Sequence, residues 1–402
     1  MIKNALLNVI YLGFINVSNL ILPIILIPIL SDRIGLELLS DYMVLTTILM
    51  FGFLVSDYSF NITATRDIIK LHELDGDVSE FFSLVQSSKL IISTFYSIIA
   101  IPVVIYFLNL SFFAVLIFLI SGLISNLYLA LWYRQALQDL KLVTLLIAFS
   151  KLSYFFLVFF FVKSRLDFEF LIMIYSIPQL LCALSLYHFT LKKQNLKVKY
   201  ILNATKIFLF LRKGINVFVG DFSPNLYNNL PSIFLGLTSG GIAYAAYSVS
   251  QRLSNVVISF QFVISRGLFP FAVKHPGKAL NLNIFLNSIL LFPILLVVFV
   301  YTKEILIFFL GETSDESLLY LRLLSCSAVF TAFYNIVVQT ILLPKGMDRE
   351  FRIISMYVSI ISAIIGIFLI YNYSILGVVL TLFIARLLLC LTSISVYFKN
   401  RI

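Results

Sequence analysis

Four basic side chains of this chain fall inside long apolar runs: Lys151, Arg252, Arg266 and Arg386. An ionisable group in hydrocarbon costs several kcal/mol, so such residues face a bundle interior or a water-filled cavity. A cationic interior suits an anionic substrate group, because the planar guanidinium fork grips phosphate oxygens in pairs. Arg252 and Arg386 sit near mid-span. Arg266 lies near a span end and Lys151 has a long stem, so both also have snorkelling open to them.

The acids inside spans are chiefly Asp57 and Asp221. Asp57 and Asn61 lie one turn apart in VSDYSFNITATRD (55–67), with Arg66 just beyond. For Asp57, an Asp57–Arg pair that locks the bundle and a direct coupling role both stay open. In GINVFVGDFSPNLYNNLPSIFLG (214–236), Asp221, Asn225 and Asn229 follow at i, i+4 and i+8, one face of a helix. Gly220, Pro224 and Pro231 interrupt that helix, as in many binding helices of transporters. A second polar stripe holds Tyr244, Tyr247, Ser248, Gln251 and Asn255. Such amides and tyrosines serve either sugar hydroxyls or interhelical hydrogen bonds.

No catalytic constellation accompanies them. The three histidines (His72, His188, His275) are scattered and lack metal-ligand spacing, and Cys182, Cys326 and Cys390 are dispersed in apolar segments. Nothing matches a Walker A loop. The expectation is a protein that is not an enzyme, with no cofactor and no metal.

The elements that must hold these residues are membrane helices. The 402 residues are 61% hydrophobic and 12% charged, with a mean hydropathy of +1.03, against about 25% charged in soluble domains. Apolar stretches long enough to cross a ~30 Å core recur throughout, and their continuity excludes a β-barrel. The predicted fold class is an all-α polytopic membrane protein. Twelve spans are placed at 6–30, 40–62, 84–108, 111–133, 143–162, 168–190, 214–237, 242–265, 283–302, 318–343, 352–371 and 374–397, the first read as uncleaved. Twenty loop Lys/Arg, Lys89 among them, fall on the side holding both termini and five on the other. Both termini are therefore expected in the cytoplasm. The net charge of +10 follows from those loops, so no nucleic-acid partner is inferred.

The densest basic block, 192–213, divides two sets of six spans, giving expected bundles at 1–200 and 201–402. A weak internal echo supports duplication: Gly35 and Tyr42 ahead of span 2, and Gly240 and Tyr247 ahead of span 8, are each seven apart. No loop has room for a soluble catalytic domain.

Several stretches, in order, resemble the O-antigen and polysaccharide repeat-unit flippases (Wzx type) of the multidrug/oligosaccharidyl-lipid/polysaccharide exporter superfamily. They are DYSFNITATRD (57–67), WYRQALQDLKLVT (132–144), YNNLPSIFLGL with AYAAYSVSQRLSN (227–255), GLFPF (267–271) and ILLPKGMDREF (341–351). Ser59 stands where that family usually has glycine, and Gln251-Arg252 where it often has an acid and a lysine. The resemblance implies a V-shaped pair of six-helix bundles around a central cavity. It implies transfer of an undecaprenyl-pyrophosphate-linked oligosaccharide across the bacterial inner membrane by alternating access, driven by a proton or sodium ion. Membrane lipid, a polysaccharide polymerase and a chain-length regulator are the implied partners. Under it, the expected substrate residues are Arg252, Arg66, Arg266, Arg386, Lys151, Asn225, Asn229, Gln251, Tyr247 and Asn61, with Asp57 and Asp221 as coupling candidates. The alternatives are a drug/cation antiporter of the same superfamily, which would want a more acidic cavity, and a membrane polysaccharide polymerase or glycosyltransferase. The latter usually carries a large outer loop, which is missing here.

Overall fold

The computed structural model describes residues 2–74, 76–201, 203–268, 272 and 276–399. Within these, the side chains of 2–10, 12, 13, 16, 17, 20, 72, 73, 266, 267 and 348 are not described. The Arg266 side chain and most of GLFPF thus lie outside the described residues. Among the described residues the regular elements are all helices, without a strand.

Continuous apolar sequence leaves backbone groups no partner but their own turn, so the predicted spans fall on helical segments, although 40–62, 168–190 and 214–237 are each broken between helices. The first half holds α1 (Ile2–Ile34), α2 (Leu36–Asp57), α3 (Thr63–Glu73), α4 (Val78–Leu108), α5 (Phe112–Leu129), α6 (Leu131–Ala136), α7 (Lys141–Phe161), α8 (Phe168–Ile174) and α9 (Ile177–Lys193). The second holds α10 (Ala204–Phe222), α11 (Asn225–Asn228), α12 (Leu230–Thr238), α13 (Ile242–Gly267), α14 (Pro276–Val300), α15 (Thr302–Leu310), α16 (Asp315–Val337) and α17 (Asp348–Lys399). A π-helical segment, Val338–Leu342, extends α16. Among the described residues, eight stretches are long and apolar enough to cross a membrane by length and composition. One of them, Arg349–Lys399, carries two predicted spans.

Those two spans separate at Ser374, where φ is 47° and ψ −120°. The arms then pack closely. A Cβ on Gly366 would lie 2.8 Å from Thr381 Cγ2, and one on Gly377 only 2.2 Å from the Leu369 carbonyl oxygen. Backbone cannot retreat as a side-chain tip can. Gly377→Ala is expected to destabilise the protein by about 1–3 kcal/mol, read as a lowered unfolding temperature in detergent.

Gly35 joins α1 to α2 with φ 81°, whereas ahead of α13 the left-handed residue is Gly241 (φ 90°), one beyond the Gly240 of the echo. Tyr42 and Tyr247 are both buried.

The chain forms two compact units. Unit 1 comprises Met1–Leu22 and Val44–Phe222; unit 2 comprises Pro23–Met43 and Ser223–Ile402. Unit 1 has a core cluster of Phe60, Ala64, Ile68, Phe82, Val85, Trp132, Tyr133 and Leu196, which joins the amphipathic helix α3 to α4, α6 and the chain after α9. That chain is strapped along α4. The backbone N–H groups of Lys197, Lys199 and Ile201 donate to Ser79, Ser83 and Ser87 Oγ at 3.2, 3.1 and 2.8 Å. Four helical residues advance ~6.0 Å and two extended ones ~6.6 Å, so alternate amides meet successive serines of one helix face. Ser83 and Ser87 donate their own hydrogens to the carbonyls of Ser79 and Ser83. Each bond contributes about 1 kcal/mol. The double variant Ser83→Ala/Ser87→Ala should therefore speed tryptic cleavage after Lys197 and Lys199 several-fold, measured on the intact protein in membranes.

Candidate functional site

Unit 2 contains a cavity of about 390 Å³ lined by Asn225, Tyr227, Asn228, Asn229, Gln251, Asn255, Thr331, Tyr334, Ser355 and Arg386, with Pro224, Ile258 and Leu389. The break between α10 and α11 builds one wall. Pro224 stands at the N-cap position of α11, and Asn225 and Asn229 face the space with Asn229 Nδ2 donating to Asn225 Oδ1 at 2.6 Å. Tyr334 OH and Ser355 Oγ lie 3.3 Å apart.

Arg386, 6% exposed, is the only charged residue among those lining the cavity. Its Nη1 donates to Ser254 Oγ (3.0 Å), Ser327 Oγ (2.7 Å) and the Leu324 carbonyl (3.3 Å), fixing the head between α13, α16 and α17. Nη2 donates to Asn255 Oδ1 at 3.3 Å. Every one of these acceptors is neutral, and among the described residues no carboxylate pairs with Arg386. A buried charge without a counter-ion is costly, so the site is electrostatically prepared for an anion.

Unit 1 holds the opposite arrangement, a cation already neutralised. Lys89 Nζ donates to Asp57 Oδ1 at 2.6 Å and to the Asn126 carbonyl at 3.3 Å. Asn126 Nδ2 reaches the same Oδ1 at 3.2 Å, and Asn61 Nδ2 reaches Oδ2 at 3.3 Å. Counting Lys89 among loop lysines is corrected here: it is buried in α4, its side chain 3% exposed. Arg66 pairs instead with its neighbour Asp67 on an exposed face of α3.

The helical-face reading of 57–61 is corrected too. α2 stops at Asp57 because Tyr58 and Ser59 both take left-handed φ, 44° and 57°. Glycine adopts that conformation freely, and here a tyrosine and a serine take it. Serine gains something in exchange: Ser59 Oγ donates to Asp221 Oδ2 at 2.9 Å. Tyr58 stacks on Phe218 at 4.3 Å and donates to the Leu211 carbonyl, so the break grips α10. Likewise Asp221, Asn225 and Asn229 share no continuous helix face, since the helix ends at Phe222. Asp221 belongs to unit 1, the two asparagines to unit 2.

Of the other expected residues, Gln251 lines the cavity, Tyr247 is buried beside Tyr244, and Arg252 on α13 is half-buried and outside the lining. Lys151 Nζ, in unit 1, lies 5.6 Å from the centre of the Tyr175 ring and 3.4 Å from Gln179 Oε1. Sequence reasoning missed Lys89 and Asn126. The signal for Lys89 was its position within a predicted span, between Ser88 and the apolar Leu90-Ile91-Ile92.

Residues 5–275 match the profile of a family described as polysaccharide biosynthesis protein. The chain belongs to that family. This member is similar to two proteins each named "Putative O-antigen transporter". The one from Escherichia coli K12 is 24% identical over 264 residues, 65% of this chain and 63% of the relative. The one from Shigella dysenteriae is 20% identical over 390 residues, 96% and 98% of the two chains. Thus the match spans under two thirds of the first relative and nearly all of the second. In fold, the chain is similar to the lipid II flippase MurJ in an inward closed conformation: TM-score 0.73, 15% identity, 98% of this chain and 87% of that one. It is also similar to an inward-facing multidrug resistance MATE family transporter: TM-score 0.65, 12% identity, 98% and 100% coverage. These likenesses show the fold alone, a multi-pass helical membrane architecture like that of the two transporters.

Proposed function

We propose that this protein moves undecaprenyl-pyrophosphate-linked oligosaccharide repeat units from the cytoplasmic to the periplasmic leaflet of the bacterial inner membrane, for O-antigen or capsule synthesis. Its two six-helix halves, divided near residue 200, alternate access, and both termini stay in the cytoplasm. The observation that carries the reading is the buried Arg386, which pairs with no carboxylate among the described residues and opens on an amide-lined cavity. A pyrophosphate needs basic partners to cross hydrocarbon, and sugar hydroxyls need the amides; the prenyl tail stays in lipid. Arg252, Arg66, Arg266 and Lys151 act as further cationic contacts along the path, and Asp57 or Asp221 exchanges the coupling proton or sodium ion. A cationic drug would meet no acid among the residues lining the cavity, which favours the lipid-linked sugar over the antiporter reading. The polymerase and chain-length regulator receive the product outside.

The test is the sidedness of the lipid-linked repeat unit in a strain lacking this gene. Single units stranded on the inner leaflet support a flippase. Units accessible from outside point to a polymerase and overturn it.

A further inference from the structure

The cavity of unit 2 has a finer structure than a generic anion hole. Arg386 spends Nη1 on three neutral acceptors, Ser254, Ser327 and the Leu324 carbonyl. Its other edge is nearly unused. Nε–H has no acceptor among the described residues, and Nη2 has only the long bond to Asn255. Nε and Nη2 form one side of the planar fork, the side that takes two oxygens of a phosphate at once. The guanidinium is thus held rigidly by one end with a bidentate edge left for a ligand.

Around it the lining changes character. Gln251 offers an amide with no hydrogen-bonded partner among the described residues, and Asn228, Asn229 and Tyr334 add polar groups. An amide both donates and accepts, as does a hydroxyl, so this set matches a ring carrying several hydroxyl or acetamido groups. With one cation and about 390 Å³, the space suits a phosphate and a single sugar; it is too small for a whole repeat unit.

We infer that the cavity is a sugar-phosphate subsite. Arg386 takes two oxygens of the phosphate ester and Gln251, with Asn229 and Tyr334, reads the first sugar, whether that group is a lipid headgroup or a free sugar 1-phosphate. This deepens, and rests on, the flippase reading: the headgroup is recognised in unit 2 without help from the prenyl tail.

The experiment titrates the purified full-length protein in detergent with N-acetylglucosamine 1-phosphate, glucose 1-phosphate, inorganic phosphate and N-acetylglucosamine, by calorimetry. Saturable binding of a sugar phosphate, at least tenfold tighter than inorganic phosphate or the neutral sugar, is expected. Arg386→Ala should abolish it and Arg386→Lys should weaken it at least tenfold, since lysine keeps the charge and loses the fork. Gln251→Leu removes no hydrogen bond among the described residues; it should weaken the sugar phosphates at least fivefold and leave inorganic phosphate unchanged. Thermal unfolding of each variant checks folding. The subsite is overturned if no sugar phosphate binds, if none is tighter than inorganic phosphate, or if binding survives unchanged in folded Arg386→Lys and Gln251→Leu proteins. The same preparations are assayed for movement of a lipid-linked sugar in proteoliposomes. Transport without sugar-phosphate binding sinks the subsite and spares the flippase; binding without transport does the reverse.

Discussion

Lys89→Met is expected to destabilise the protein by about 3 kcal/mol, and Lys89→Met combined with Asp57→Leu to recover most of that loss. Removing one partner of a buried ion pair leaves an uncompensated charge and costs about 3–5 kcal/mol, whereas replacing both by apolar groups is often neutral. The lower end applies because the Asp57 side chain keeps 24% exposure while Lys89 keeps 3%. Asn126 and Asn61 would still solvate the orphaned carboxylate. Thermal unfolding in detergent measures both variants. Transport separates the roles: if the double variant is stable but inactive, the pair takes part in the cycle. If it is stable and active, Asp57 and Lys89 only tie α2 to α4.

The second large effect falls on Arg386. Removing one member of a buried charge–charge contact costs about 2–5 kcal/mol, so Arg386→Ala should lower transport of a lipid-linked oligosaccharide at least ~30-fold. Stability should move less, since the variant also removes a buried cation with no carboxylate partner among the described residues, and water entering from the cavity can reach Ser254 and Ser327. Arg252→Ala, outside the cavity lining, is expected to have the smaller effect of the two. Initial transport rates at matched membrane levels decide this.

Much of the architecture was legible because lipid leaves the backbone so few options. Continuous apolar runs announced the helices, and the polar residues interrupting them announced Arg386, Gln251, Asn225 and Asn229, which now line one cavity. What was hidden depended on backbone conformation and long-range pairing. The double left-handed turn at Tyr58-Ser59 has no compositional signature once serine replaces glycine. It ends α2 and turns an expected helical stripe into a clasp on Asp221. Lys89 meets Asp57 across 32 positions of sequence, and its place near the start of a span made a loop assignment reasonable. Thr331, Tyr334 and Ser355 carry nothing locally that distinguishes them from helix-packing residues; only the convergence of α11, α13, α16 and α17 makes them cavity wall.

Carriage of a lipid-linked oligosaccharide from one leaflet to the other is tested most directly with purified protein in proteoliposomes. These are loaded with an undecaprenyl-pyrophosphate oligosaccharide on one side and given imposed proton or sodium gradients. Appearance of the sugar at the opposite face, dependent on the protein and lost with Arg386→Ala, is the predicted result. A folded, correctly inserted protein that leaves every lipid-linked sugar on its original face would contradict the account.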